Sequence, residues 1–300
     1  MIIHHVHHSV NCKINRGAWT IYSTGRLGNQ MGQYATLYSL AKLNGHKPCI
    51  LPEMYDALVP LFNITLPVIQ EAIALEIPWK IYNLHDWMSP RYYNIRGKYV
   101  LLHGYPCSWT FYHHIRNEIH REFTFHDHIK QRVNNYLCKL KGERKKVTFV
   151  GIHVRRGDYV NLMPNLWKGV LADKAYLEKA MSYFRTKYKG CLFVVASNGM
   201  GWCKKNIDAS KGDVHFLDNG NEKLPWKDFS ILAHCNHTIM TIGTFGYWVA
   251  YLAGGETIYL SNFTLSESKF LNLFREESAF LPEWKGIAAN LSALISSNHS

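Results

Sequence analysis

Residues 147–159 read V-T-F-V-G-I-H-V-R-R-G-D-Y, which sets His153, Arg155, Arg156 and Asp158 directly after an apolar, β-branched run. Two guanidinium groups and a carboxylate at the end of a buried strand need partners, because desolvated charge is costly. In open α/β sheets the ligand site lies beyond the carboxyl ends of the strands. The planar guanidinium fork matches phosphate oxygens in bidentate fashion. The chemistry to expect is binding of a phosphate-bearing ligand. Arg155 would stabilise its negative charge, and Arg156 would brace the loop by pairing with an acidic neighbour. Asp158 and His153 are the motif's candidates for a base.

Two further loops carry related chemistry. Ser197-Asn198-Gly199 follows a second apolar strand pattern, and Gly243-Thr244-Phe245-Gly246 follows a third, with Asp228 at the start of the preceding helix. Asn198 and Asp228 can hydrogen-bond a ribose hydroxyl or a base edge, or serve as a turn residue and an N-cap. Thr244 adds neutral donors. Phe245 can stack on a base or pack in the core. In the first half, G-R-L-G-N-Q-M-G at 25–32 breaks a strand before a helix and offers backbone N–H groups to an anion. It is neither a dinucleotide fingerprint nor a P-loop. Arg26 and Asn29 in that loop can approach a ligand phosphate or serve as a turn and a helix start, and the aromatic stretch 79–109 can stack on a sugar or pack in the core.

No D-x-D occurs in the chain. A diphosphate leaving group must be neutralised by a metal or by protein cations, so paired arginines without paired acids point to metal-independent chemistry. His113-His114 and His126-Asp127-His128 lack H-E-x-x-H spacing, and the histidine-rich opening at 4–8 reads as a frayed terminus. None of the seven cysteines forms C-x-x-C, and their odd number leaves at least one free thiol.

These loops must be carried by alternating strands and helices, the pattern of a parallel sheet with right-handed crossovers. Strands are expected at 18–22, 147–154, 191–196, 214–217, 238–242 and, last, 256–260. Helices are expected at 34–43 (with Gly45 as C-cap), 110–125, 128–140, 174–188, 200–207, 228–234 and 247–253. The stretch 52–106 reads as irregular, and the segment with Pro164 and Trp167 as a loop. The basic run K-L-K-G-E-R-K-K at 139–146 suits a solvated linker. It divides the chain into domains 1–143 and 144–300.

The 300 residues are 47% hydrophobic and 14% aromatic, enough to bury a sizeable core and unlike a disordered chain. A formal charge of +12 implies an anionic partner. The basic residues are not gathered on one aromatic-interleaved element, as a nucleic-acid-binding protein requires. Sequons at Asn63, Asn236, Asn262, Asn290 and Asn298 lean toward the secretory pathway, with Asn236 set before an apolar run. No apolar run reaches the length of a membrane span and the opening is not a signal peptide, so the expectation is a soluble protein or a chain lacking its anchor.

Six segments in order complete the reading: G-R-L-G-N-Q-M-G-Q-Y-A-T-L-Y (25–38), P-C-S-W-T-F-Y-H-H (106–114), F-V-G-I-H-V-R-R-G-D-Y (149–159), W-K-G-V (167–170), F-V-V-A-S-N-G-M (193–200) and C-N-H-T-I-M-T-I-G-T-F-G (235–246). Together they resemble the galactoside α-1,2-fucosyltransferases of glycosyltransferase family 11, the H and secretor blood-group type. The resemblance implies an α/β, GT-B-like fold of two facing Rossmann-like domains with parallel sheets. Domain 1–143 would be the acceptor side and 144–300 the GDP-fucose-binding side. It implies inverting transfer of L-fucose from GDP-β-L-fucose to the 2-hydroxyl of a terminal β-galactose on glycoproteins and glycolipids, with no metal. Related fucosyltransferases share an H-x-R-R motif that holds the donor phosphates, which agrees with Arg155. The family's usual place is the Golgi lumen, by an N-terminal type II anchor, and this chain starts about where the stem would end. The rival functions are a catalytically inactive, lectin-like relative, against which the intact H-V-R-R-G-D argues, and a basic nucleic-acid-binding protein.

Overall fold

A computed structural model describes residue 12, residues 14–217 and residues 225–297. The histidine-rich opening and the Asn298 sequon lie outside the described residues. The chain divides into two compact units, one ending at Thr124 and the other starting at Phe125.

The first unit is built on β1 (Ala18–Ile21), followed by α1 (Leu27–Leu43), α2 (Pro52–Leu58) and α3 (Glu71–Glu76). β2 (Lys80–Asn83), β3 (Tyr99–His103) and α4 (Arg116–Glu122) complete it. Its three strands are parallel in the order β1-β3-β2. Ile21 and Tyr82 both pair with Leu102, so the three carboxyl ends share one edge. α1 is buried nearly all round, with Met31, Tyr34, Leu37 and Leu40 fully enclosed and the polar Gln30, Gln33, Thr36 and Ser39 buried beside them. It ends in a Schellman arrangement. Gly45 takes a φ of 70°, its N–H donates to Lys42 O (3.2 Å), and His46 N–H donates to Ala41 O (2.8 Å).

Three expectations are corrected here. α1 starts at Leu27, so the break after β1 ends there and Gly28 to Gly32 are helical. Gly32 is needed for close approach: a Cβ there would sit 2.5 Å from Pro106 O. The stretch 52–106 contains two strands, and β3 is the centre of the sheet. Residues 110–125 do not form one helix, because the chain tightens into two 3₁₀ turns at 109–111 and 113–115 before α4. Ser108 caps the first turn by accepting from Thr110 N–H, and Tyr112 Oη ties it to Cys107 O at 2.7 Å. A disulfide joins Cys12 to Cys49, and five cysteines are free.

The second unit opens with α5 (Asp127–Lys141), then β4 (Thr148–Val154), α6 (Tyr159–Leu166), α7 (Lys174–Lys187), β5 (Cys191–Ser197), α8 (Met200–Asn206) and β6 (Val214–Phe216). There follow α9 (Pro225–Ala233), β7 (His237–Met240), α10 (Thr244–Ala253), β8 (Thr257–Ser261), α11 (Glu276–Ala279), β9 (Lys285–Ala288) and α12 (Ser292–Ser297). Its six strands are all parallel, in the order β6-β5-β4-β7-β8-β9. Both faces are covered, so Val150, Ile152, Val154, Phe193, Val195, Ile239 and Ile258 are all buried, which is why these strands read as continuous apolar runs. Each such side chain contributes roughly 1.5–3 kcal/mol of burial.

The expected boundary at 143/144 lies after α5, whereas the compact units divide after Thr124. The reason is the apolar stripe Ile129, Val133, Leu137 on α5, a helix that packs on α9 of the second unit. The segment holding Pro164 is helical, as α6. β9 lies beyond the strand expected to be last, where only Ile287 of its four residues is buried. No described helix is long and apolar enough to cross a membrane.

Candidate active site

In the second sheet the chain runs outward from β4 through β5 to β6, then returns to the other side of β4 and runs outward through β7 and β8 to β9. The direction of winding therefore reverses between β4 and β7. The crevice beyond the carboxyl ends at such a switch point is where open α/β sheets take ligands. His153 is level there with Ala196 of β5 and Met240 of β7.

Beyond that level the three strand ends are laced together sideways. Arg155 N–H donates to Thr241 Oγ1 at 2.9 Å, joining the ends of β4 and β7. Arg156 N–H donates to Asn198 Oδ1 at 2.8 Å, joining the ends of β4 and β5. Gly157 completes the turn at a φ of 47°, where a Cβ would lie 2.3 Å from Asn198 Nδ2. Asn198 Nδ2 is itself buried without a hydrogen-bond partner.

The two arginines have different surroundings. Arg155 Nη2 donates to Asp158 Oδ1 at 2.5 Å, and its guanidinium lies 4.7 Å above the Tyr159 ring. Its side chain is 17% exposed, that of Asp158 55%. No other acceptor for the Arg155 side chain is found among the described residues. The expectation that Arg156 pairs with an acid is corrected. It has no carboxylate partner among the described residues, and its guanidinium stacks on Trp202, 4.1 Å from the ring centroid. Its stem fills the space a side chain at Gly199 would need, since a Cβ there would be 2.8 Å from Arg156 Cβ. Burial lowers its pKa. A cation stacked on an indole keeps its N–H edges open to an in-plane anion, which an acid partner would occupy.

His153 is 7% exposed and stacks on Phe245 at 4.6 Å between centroids. Its Nδ1 has no hydrogen-bond partner. Burial, with the Arg155 charge second, pushes its pKa down to about 3. The imidazole is therefore neutral at physiological pH and a weak proton acceptor. Phe245 also meets Phe229 edge-on at 5.2 Å, so it is packed among its neighbours in this structure. Thr244 opens α10 behind Gly243, whose φ is 95°. Asp228 lies in the first turn of α9, and its charge helps raise the pKa of Tyr136 after burial. Tyr136 Oη in turn bonds His215 Nε2 at 2.7 Å.

Arg26 and Asn29 belong to the first unit, where Arg26 is the N-cap residue of α1 and Asn29 lies in its first turn. The sequence reading missed Thr241, Trp202 and Tyr159. Thr241 sits in the run T-I-M-T-I-G and looks like strand interior, and Trp202 looks like core. Only their closeness to a glycine turn marks them. Of the sequon asparagines, Asn63, Asn236, Asn262 and Asn290 are all exposed. Asn236 Oδ1 accepts from Phe149 N–H at 2.9 Å, and Asn290 Oδ1 accepts from Ser292 N–H at 3.0 Å. Asn262 holds a φ of 48°.

The model of glycosyl transferase family 11 matches residues 2–288. Over 282 residues the chain is 60% identical to galactoside alpha-(1,2)-fucosyltransferase 2 of Sus scrofa, covering 93% of this chain and 83% of the relative. It is 57% identical over 282 residues to galactoside alpha-(1,2)-fucosyltransferase 1 of Homo sapiens, covering 93% of this chain and 77% of the relative. Among solved structures, a mutant of Arabidopsis thaliana FUT1 in complex with GDP is similar at a TM-score of 0.55 and 12% identity, over 84% of this chain and 71% of that one. POFUT1 in complex with GDP-fucose is similar at a TM-score of 0.53 and 12% identity, over 79% of this chain and 94% of that one. At that identity the structural likeness bears on the fold, and the expected fold class is borne out.

Proposed function

Because the chain belongs to glycosyl transferase family 11, we propose that it transfers L-fucose from GDP-β-L-fucose to the 2-hydroxyl of a terminal β-galactose on glycoproteins and glycolipids. The transfer inverts the anomeric centre and uses no metal. One observation of geometry supports this most: Arg155 and Arg156 follow the end of β4 at the switch point, one held by Asp158 and Tyr159, the other stacked on Trp202 with no carboxylate partner among the described residues.

As the bond between the fucose anomeric carbon and the β-phosphate oxygen lengthens, the sugar gains oxocarbenium character, charge builds on GDP, and the attacking galactose 2-hydroxyl gives up its proton to Asp158. Arg155 stabilises that charge, and it is already oriented before ligand arrives. Arg156 holds a second phosphoryl oxygen. Asp158 aims Arg155, and the exposed pair is weak enough for a diphosphate to replace it. His153 stays neutral and supplies a hydrogen bond at the sheet edge. Thr244 at the start of α10 and Asp228 at the start of α9 serve the nucleoside end. The absence of D-x-D supports a reaction in which guanidinium groups do the work of a divalent ion. The Cys12–Cys49 disulfide and the sequons support a secretory compartment, in keeping with the Golgi lumen.

The test is an incubation of the purified protein with GDP-fucose and lactose in EDTA. We expect GDP release matched by a fucosyllactose whose new linkage, read by NMR, is α-1,2 to galactose. Absence of product with any β-galactoside, or product only on adding a divalent metal, overturns the reading.

A further inference from the structure

The first unit has its own carboxyl edge, where β1, β2 and β3 end together. Tyr22 N–H donates to Leu102 O (2.9 Å) and Leu84 N–H donates to His103 O (2.9 Å), so the three chains leave the sheet at one level. Gln33 then ties two of the departing loops, donating from Nε2 to Thr24 Oγ1 (3.0 Å) and to Gly104 O (3.1 Å).

Asp86 lies three residues beyond β2 at this edge. Its Oδ1 accepts from Cys107 N–H at 2.6 Å, and Ser108 N–H is a second backbone donor to the carboxylate. No lysine or arginine is paired with it among the described residues. Two backbone donors pull its pKa down, yet burial prevails and raises it to about 7. The residue as a whole is partly accessible, and a carboxylate has about four acceptor positions, of which two N–H donors fill only part.

Tyr105 stands on the loop that supplies those donors. It is 61% exposed, set between Gly104 at a φ of 142° and Pro106, so a rigid backbone presents the ring to solvent. It makes no ring contact or hydrogen bond among the described residues. A flat exposed ring two residues before Cys107, whose N–H holds the Asp86 carboxylate, suits a sugar, whose C–H face stacks on an aromatic while its hydroxyls donate to an anionic acceptor.

We propose that Asp86 and Tyr105 form the subsite that holds the galactose of the acceptor, Tyr105 stacking on the apolar face of the ring and Asp86 accepting hydrogen bonds from its hydroxyls. This rests on the fucosyl transfer proposed above and names where its acceptor binds.

The test uses the full chain and reads the KM for lactose beside the KM for GDP-fucose. Tyr105→Ala removes an exposed side chain, so melting temperature and GDP affinity are expected to stay at wild-type values while the lactose KM rises about tenfold. Tyr105→Phe keeps the stacking face and is expected to restore it. Asp86→Asn is expected to raise the lactose KM by roughly tenfold to a hundredfold, because charged-acceptor hydrogen bonds are lost. A lactose KM within twofold of wild type in Tyr105→Ala overturns the subsite, even if Asp86→Asn fails to fold. A fall in kcat alone in Tyr105→Ala, with KM unmoved, overturns it as well. In both cases fucose transfer by the wild type leaves the function standing. A wild type inactive on every galactoside overturns that function instead.

Discussion

Replacing Arg155 by lysine separates charge from geometry. The guanidinium has two separable contacts, Nη2 to Asp158 Oδ1 at 2.5 Å and the Tyr159 ring at 4.7 Å, and further side-chain N–H groups beside them. A lysine ammonium can keep the charge, the ion pair and the position over the ring, but it cannot present two parallel donors to a phosphate. A preorganised donor at a site of developing charge is worth about 3 kcal/mol, and each 1.36 kcal/mol is tenfold in rate, so kcat should fall roughly 150-fold. The fold should hardly notice. The pair to Asp158, whose carboxylate is 55% exposed, is worth about 0–1 kcal/mol and survives the change. A domain of this size shifts its melting temperature by about 2–4 °C per kcal/mol, which bounds the expected change. The assay is GDP release at saturating GDP-fucose with lactose as acceptor, alongside thermal melting. Turnover within fivefold of wild type would refute the bidentate role. Loss of activity that tracks a melting temperature lowered by some 10 °C or more would show Arg155 to be structural.

Two further predictions bear on the same strand ends. Gly157→Ala puts a Cβ 2.3 Å from Asn198 Nδ2 at a φ of 47°. It should weaken GDP binding by tenfold or more in calorimetry with loss of thermal stability, and unaltered binding would mean the Arg156–Asn198 tie does not shape the site. His153 makes the second unit acid-sensitive. The folded protein keeps the imidazole neutral down to about pH 3 while the unfolded chain takes a proton near pH 6.5. The unfolded state therefore binds more protons between those values, and stability is full above about pH 6.5 and drains away as pH falls toward 3. From pH 7.5 to pH 5 this group alone removes about 2 kcal/mol. In His153→Gln the stability difference between those two pH values, measured by denaturant unfolding, should shrink by about that amount, since the other histidines with lowered pKa, His120, His234 and His237, act equally in both proteins. An unchanged difference would show that His153 is protonated in the folded state.

The contrast between Arg155 and Arg156 marks what a sequence can disclose. β4 was legible because a strand covered on both faces has an uninterrupted apolar signal, and the charges that end it have no local excuse. That the strands run parallel was legible from the alternation of strands and helices. What escaped was lateral. Trp202 reaches Arg156 only because β5 is parallel to β4 in the register His153 to Ala196 and because Gly199 leaves room for the stem. Thr241 meets Arg155 only because β7 flanks β4 on the other side. In the first unit one partner of β3 lies some eighty residues upstream, Ala18 against Tyr99, so a five-residue apolar segment among aromatics carried no hint of being the centre of a sheet. The basic run at 139–146 does not coincide with the division between the compact units, for the opposite reason. It is solvated, as expected, but solvation of a loop says nothing about which unit the preceding helix packs on, and Ile129, Val133 and Leu137 decide that. Local chemistry thus names the strand that carries the arginines, while sheet order and register decide what each arginine is left free to bind.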